Sequence, residues 1–447
     1  MNRSPNSFDV LVVGAGPAGI AAACCAAESG ARVGLLDNNP RAGGQIWRGQ
    51  SQSHAANTDA RKWFEKLTSS PVEFLPSTEV VDHLEKGRLV VQSVDAQSIN
   101  EVRDEVRELT YKKLILCTGA RELFLAFPGW TLPNVMGAGG LQALVKSGLP
   151  ISGKRVVVAG SGPLLLAVAA HLREHGADVR LIAEQAPWHR VARFGMSLVF
   201  EKTKLAQAFE MKRQLSGVPY KTGCWPIRAT ANGEDGKLES VTLRGGNKTW
   251  QERCDYLACG FHLVPNTEVA ALLGCDLRAG FVRVDAIQQT SVSDVFCAGE
   301  LTSIGGVDLS IVEGQLAGYA VAGQTASVAK LAPQKRRLDR FAALLRETFA
   351  LREELRSSVD SETIVCRCED VKFSRIRQHS SWRAAKLQTR CGMGPCQGRI
   401  CGPATEFLFG WKVDSVRPPV FAASLQSLAV AVAIQTEEHL MSHEESR

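Results

Sequence analysis

Two stretches of this chain repeat one rhythm of apolar and polar positions. Phe8-Asp9-Val10-Leu11-Val12-Val13 is a nearly unbroken, β-branched apolar run, the pattern of a strand covered on both faces. Gly14-Ala15-Gly16-Pro17-Ala18-Gly19 follows at once, then an alanine-rich helix from Ile20 to Ser29 stopped by Gly30, and a second strand from Arg32 to Leu36 that ends in Asp37. The order recurs later. Lys154 to Ala159 predicts a strand, Gly160-Ser161-Gly162-Pro163-Leu164-Leu165 a turn, Leu166 to His175 a helix stopped by Gly176, and Val179 to Ala183 a strand followed by Glu184. Buried strands alternating with helices predict an α/β fold with parallel sheets. Trp188 to Ser216 and Val328 to Ser358 have helical spacing with basic residues on solvated faces.

Composition narrows this little. A chain of 447 residues suggests two to four domains, and 45% hydrophobic with 22% charged residues is ordinary for a globular protein. A net charge of +6 is mild at this length and gives no argument for nucleic acid. No apolar run reaches the roughly 20 residues of a membrane span, and Met1 to Ser7 carries no cleavable signal pattern. Thirteen cysteines in such a chain point to a reducing compartment, so we expect a cytoplasmic protein, with a peripheral association at the inner membrane as the variant of that expectation.

The glycines carry chemistry. Gly14 permits the tight turn, Gly16 lets backbone amides approach a pyrophosphate, Gly19 lets helix and strand pack closely, and the helix N-terminus favours the phosphates. Asp37, about 20 residues on, stands where a carboxylate accepts ribose hydroxyls. In the second unit Gly160, Gly162 and Glu184 hold the matching positions, but the third glycine is Leu165. Binding of NAD(P) or another adenine nucleotide there, and a domain kept only for packing, are both left open. His171-Leu172-Arg173-Glu174-His175 matches a zinc-peptidase pattern by accident, since no third carboxylate ligand is expected nearby. Cys24 and Cys25 pack in a helix, and the single cysteines read as core. No CxxC or CxxxxC pair accompanies the glycine motifs, which argues against a disulfide reductase.

Arg41-Ala42-Gly43-Gly44-Gln45-Ile46-Trp47-Arg48 resembles the segment beside the flavin in FAD enzymes of the glutathione-reductase type. Tyr111 to Ala120 resembles that family's strand closing the first FAD segment, and Asp294-Val295-Phe296-Cys297-Ala298-Gly299-Glu300 its late FAD motif. The usual acid in that last motif is Asp, so Glu300 is a departure. The resemblance implies an α/β flavoprotein with two dinucleotide-binding domains. FAD would be held by Gly14, Gly16, Pro17, Ala18, Gly19, Asp37, Asn38, Gly44, Gln45, Ile46, Thr118, Gly119, Gly299 and Glu300. The expected division is a discontinuous FAD domain (1–150 and 265–328), a second nucleotide-binding domain (151–264), a helical linker (329–360), a small cysteine domain (361–412) and a C-terminal segment (413–447).

The cysteine domain holds Cys366-Arg367-Cys368 and Cys391-Gly392-Met393-Gly394-Pro395-Cys396-Gln397-Gly398-Arg399-Ile400-Cys401. Zinc and a [2Fe-2S] cluster both take four thiolates, and spacing does not separate them. Attachment to a flavin fold favours the redox-active cluster, because a flavin accepts a hydride and releases single electrons. The pattern resembles the helical [2Fe-2S] domain of bacterioferritin-associated ferredoxin. That resemblance implies ligands at Cys366, Cys368, Cys396 and Cys401, with Cys391 the alternate; a pair Cys391 and Cys396 has the same spacing and stays open. FAD domain, second nucleotide domain and cluster in this order resemble the α (A) subunit of heteromeric amino-acid dehydrogenases acting on C–N bonds: opine (octopine and nopaline) dehydrogenase, hydrogen cyanide synthase and D-hydroxyproline dehydrogenase. The resemblance implies a hetero-oligomer whose β subunit is like glycine or sarcosine oxidase. A further implied partner is a small ferredoxin-like γ subunit, and a further implied cofactor is FMN at a subunit interface. No substrate-oxidising constellation is visible in this chain, so no catalytic residue is assigned to it. Two other readings stand beside this one: a self-sufficient NAD(P)H-dependent FAD/[2Fe-2S] reductase, and a non-enzymatic redox-sensing or cluster-carrying interaction protein.

Overall fold

The computed structural model describes residues 5–49, 58–94, 104–198, 202–233, 235–413, 416–429 and 433. They form two compact units, one of residues 1–120, 265–342 and 415–447, the other of residues 121–264 and 343–414.

In the first unit the strand Ser7–Val13 lies between Val33–Leu36 and Asp104–Leu116, parallel to both. The long strand Asp104–Leu116 serves two neighbours in two senses. Its first half pairs antiparallel with Arg88–Val94, and its end pairs parallel with Val295–Cys297. A continuous apolar run suits the covered end: Leu114, Ile115 and Leu116 are all fully buried. The helix Pro17–Ala27 packs on this sheet and against the helix Val307–Val321 at backbone contact distance. A Cβ at Gly314 would stand 2.1 Å from the Ala18 carbonyl oxygen, and one at Gly318 2.4 Å from that of Ala22. Both helices are apolar nearly all round because both are enclosed. Residues 416–429 return to this unit, where the Val420 amide donates to the Val81 carbonyl and Ser427 Oγ to Gln92 Oε1.

The second unit has a five-stranded parallel sheet in the order Tyr220–Thr222, Asp178–Glu184, Arg155–Gly160, Tyr256–Gly260, Val135–Gly137, and a separate antiparallel sheet of Cys224–Ala231, Leu238–Gly245 and Lys248–Arg253. Val135–Gly137 pairs with Tyr256–Gly260. Residues 121–150, expected in the first domain, therefore belong to the second unit, and the division falls near residue 120. A three-residue strand gives too weak an apolar pattern to be placed from sequence.

The linker expected at 329–360 is the helix Thr325–Thr348 and a 3-10 turn Glu353–Ser358, with four residues between them that bear on the second glycine loop. The cysteine segment, expected as a domain of its own, shares a core with the rest of the second unit. Leu123, Trp225, Leu355, Val365, Trp382 and Cys401 belong to one buried cluster, and the Trp130 indole N–H donates to the Ile364 carbonyl at 2.5 Å. All thirteen cysteines are free thiols. Among the described residues no helix is long and apolar enough to cross a membrane.

Candidate functional site

The first glycine loop is closely packed at two of its three glycines. A Cβ on Gly14 (φ +102°) would lie 2.3 Å from the Cys117 carbonyl oxygen, and one on Gly19 would lie 1.7 Å from that of Gly14, so both glycines serve close packing. Gly16 differs. The nearest atom to its absent Cβ is the Gly44 Cα, 4.0 Å away, and its position at the start of the helix Pro17–Ala27 is one that favours phosphates. The Gly43 amide donates to the Ala15 carbonyl at 2.7 Å and brings Gly44 over the other side. Asp37 is buried at the end of its strand. One carboxylate oxygen accepts from the Ala15 amide at 2.6 Å, the other from the Asn39 amide and side chain at 2.8 and 2.7 Å. Three of its roughly four acceptor positions are used, which leaves about one for a ribose hydroxyl. Asn38, Gln45 and Ile46 are exposed, while Trp47 beside them is buried against Phe64 and anchors the segment.

Thr118 and Asn266 clamp each other. Thr118 Oγ1 donates to the Asn266 carbonyl at 2.6 Å, and Asn266 Nδ2 to that of Thr118 at 2.8 Å, while Gly119 faces open space. Glu300 accepts no hydrogen bond from the described residues, and burial pushes its carboxyl up to about 6. The Gly299 amide donates to Glu313 Oε2 at 2.9 Å, which also accepts from Thr302 Oγ1 at 2.7 Å; Lys335 lies 3.4 Å from the other oxygen. Burial pushes Glu313 up to about 7, against the pull of Lys335. Sequence reasoning missed Glu313 and Asn266. The one signal for Glu313 was an acid in the middle of a helix rich in small and apolar residues. A glycine turn at a helix start, a buried acid with spare acceptor capacity and the half-buried carboxyl of Glu300 fit the phosphates and hydroxyls of a dinucleotide.

The second loop keeps the first two glycines of the motif. Glu184, fully buried, accepts from Ser161 Oγ at 3.1 Å, the Gly162 amide at 2.7 Å and the Ala186 amide at 2.8 Å. Burial pushes it up to about 7. Phe349, from the end of the long helix, lies over the loop. Its ring would be 3.8 Å from a Cβ on Gly162 and stands edge-on to Phe194, and its carbonyl accepts from Ser161 Oγ at 3.0 Å. Gln185 fastens the cover on both sides, donating to the Ala350 carbonyl at 3.2 Å and accepting from the Arg352 amide at 3.2 Å. Leu165, in the third glycine's place, is fully buried in the core beneath. Glu184, Gln185 and Phe349 thus bond to or pack against the loop's own groups.

The thiols converge. Ser381 caps the helix Trp382–Thr389, Arg390 ends it in a left-handed conformation, and the turn that follows lies on the Trp382 indole. A Cβ on Gly392 would meet that indole at 2.7 Å, and one on Gly394 would meet the Cys368 Cβ at 2.3 Å, so only glycine fits between the cysteines. Cys366 ends the strand Ile364–Cys366, Cys401 opens the helix Cys401–Phe409, and the sulfurs of Cys366, Cys391 and Cys401 lie within 4.8 Å of one another. Cys368 meets both the amide and the thiol of Cys396. The Gly392 amide points at the Cys366 sulfur at 3.5 Å. Contact with the Cys391 and Cys401 thiols pulls Cys366 down, and the same contact pushes Cys391 up. Cys391, the thiol placed outside the expected four, is thus among the three closest. Five sulfurs in one region, those of Cys366, Cys391 and Cys401 buried and that of Cys368 on the exposed side, suit a thiolate-bound metal centre.

His171 and His175 face each other at 4.2 Å, and Glu174, the motif's own acid, has an oxygen within 4.8 Å of their ring nitrogens. Their helix end is otherwise exposed, and His175 Nδ1 is engaged with the His171 carbonyl.

Two strand–glycine–helix units on parallel sheets define an FAD-binding, two-Rossmann oxidoreductase. Residues 8–326 match the pyridine nucleotide-disulphide oxidoreductase family, and the chain belongs to it. Within that class it is similar to hydrogen cyanide synthase subunit HcnB of Pseudomonas aeruginosa, 30% identical over 88% of this chain and 90% of that one. The opine oxidase A subunit of Rhizobium meliloti is 30% identical over 88% of this chain and 80% of its own. The crystal structure of L-proline dehydrogenase from P. horikoshii superposes with a TM-score of 0.64 over 94% of this chain and 79% of that one, at 19% identity.

Proposed function

We propose that this chain is the electron-conducting subunit of a heteromeric cytoplasmic dehydrogenase that oxidises the C–N bond of an amino acid or opine. FAD is held in the first unit and a [2Fe-2S] cluster by the converging thiols. The observation that carries the reading is the occurrence, in one chain, of a first glycine loop at a helix start and a cluster of converging thiols. Gly16 and the helix N-terminus bind the pyrophosphate, Asp37 takes a ribose hydroxyl, and Glu300 accepts from the ribityl side. Glu313 holds the Gly299 amide in line for that contact. Flavin and cluster, when bound, convert a two-electron input into single-electron steps. A glycine- or sarcosine-oxidase-like partner, the one the family resemblance implies, supplies the amine site; the similar proteins are themselves named as subunits.

The covered second loop counts against the NAD(P)H-reductase reading. Purification with the partner, flavin and iron determination, and assays of the chain alone and assembled test the proposal. We expect a yellow-brown chain inactive on amines until the partner is added; amine oxidation by the chain alone, or zinc in place of iron, overturns it.

A further inference from the structure

The five thiols divide by position into a group of three and a pair. Cys366, Cys391 and Cys401 have their sulfurs within 4.8 Å of one another, and all three are buried, at 0 or 1% exposure. Cys368 and Cys396 meet each other, and among the described residues no third thiol joins them at that spacing. A [2Fe-2S] cluster takes four thiolates, two at each iron. Resting on the cluster reading above, the pair supplies one iron and the group of three must supply the other with two sulfurs. All three sulfurs approach one another, and Cys366 is the fixed member because the Gly392 amide points at its sulfur at 3.5 Å.

We propose that Cys391 and Cys401 are interchangeable ligands of one iron beside Cys366, whereas Cys368 and Cys396 have no substitute. In the exchange the Cys391 sulfur binds iron as the Cys401 sulfur leaves, and the proton of the first passes to the second, so charge and electron count are unchanged. The residue left unbound remains as a thiol donor to a bound sulfur, and hydrogen bonds to cluster sulfurs tune reduction potential. The site therefore has two ligation states of nearly the same geometry. The two anchor on different elements, since Cys391 follows the left-handed Arg390 and Cys401 opens a helix.

The test uses the full chain, reconstituted anaerobically with ferrous iron and sulfide. Iron and sulfide are counted, spectra of the reduced cluster are taken by electron paramagnetic resonance, and flavin content serves as the folding control. Alanine, which cannot ligate, replaces each cysteine. C391A and C401A should each keep iron and sulfide within about twofold of the parent, with g-values that differ between them. C368A, C396A and the double variant C391A/C401A should lose the cluster while keeping flavin. Loss of the cluster in either C391A or C401A alone, or its survival in the double variant, overturns the exchange and leaves the cluster reading intact. A parent chain that takes up no iron, or zinc only, removes the cluster reading itself.

Discussion

The two glycine loops agree at three of six positions, Gly14, Gly16 and Pro17 matching Gly160, Gly162 and Pro163, and differ in what lies against them. In the first, the nearest atom to a Cβ on Gly16 is the Gly44 Cα at 4.0 Å; in the second it is the Phe349 ring, 3.8 Å from a Cβ on Gly162, and the loop serine and Gln185 bond to the backbone that carries that ring. A dinucleotide motif thus specifies a strand–turn–helix with amides at a helix start, and not a ligand. What lies over the loop decides that, and in the second unit it is the chain itself.

Putting leucine at Gly19, as the second loop has at Leu165, should break the comparison most severely. The first loop has no room, since a Cβ would fall 1.7 Å from the Gly14 carbonyl oxygen, and a loss above about 4 kcal/mol is expected. Urea titration and flavin yield measure it; a flavin-replete G19L chain would show that the third position does not separate the loops. Phe349→Ala comes next, with a loss of about 3 kcal/mol and unchanged flavin content. If Phe349 is what excludes nucleotide, NADH leaves the parent's flavin absorption unbleached under anaerobic mixing, and rapid bleaching of the parent would contradict the cover.

The buried acid offers a finer test through pH. Glu184 is raised in the folded chain to about 7 from an ordinary 4.5, so the folded state binds more protons than the unfolded one between those values. Its contribution to stability is therefore lost as pH rises through that window, on the order of 3 kcal/mol at most. Urea midpoints from pH 4.5 to 7.5 should show a smaller decline in Glu184→Gln than in the parent; identical slopes would mean that Glu184 titrates normally. The smallest effect is expected from Ser161→Ala, which removes one hydroxyl shared between Glu184 and the cover and should cost about 1 kcal/mol.

Much of the flavin site was legible because its parts are local. A strand, three glycines and an acid lie within about 30 residues, and each has a backbone reason to be there. Thr118 and Gly119 were placed by their strand, but their partner Asn266 is 148 positions away, and nothing in either segment names the other. Glu313 was missed for the same reason, since its value comes from the Gly299 amide and Lys335. Among the cysteines, spacing brought five thiols into one region and left their grouping open. A turn built on glycines against Trp382 then set Cys391 beside Cys366 and Cys401.

Taken alone, the sequence determined the α/β class, the two strand–glycine–helix units and a thiol-rich segment near the end, because periodicity, turn chemistry and ligand type are properties of neighbouring residues. Only the tertiary structure decided that residues 121–150 join the second sheet, that the cysteine segment shares that unit's core, and that Phe349 closes one loop of two. Those outcomes depend on which distant side chains fill a given space, and packing of that kind leaves no periodic trace in the chain.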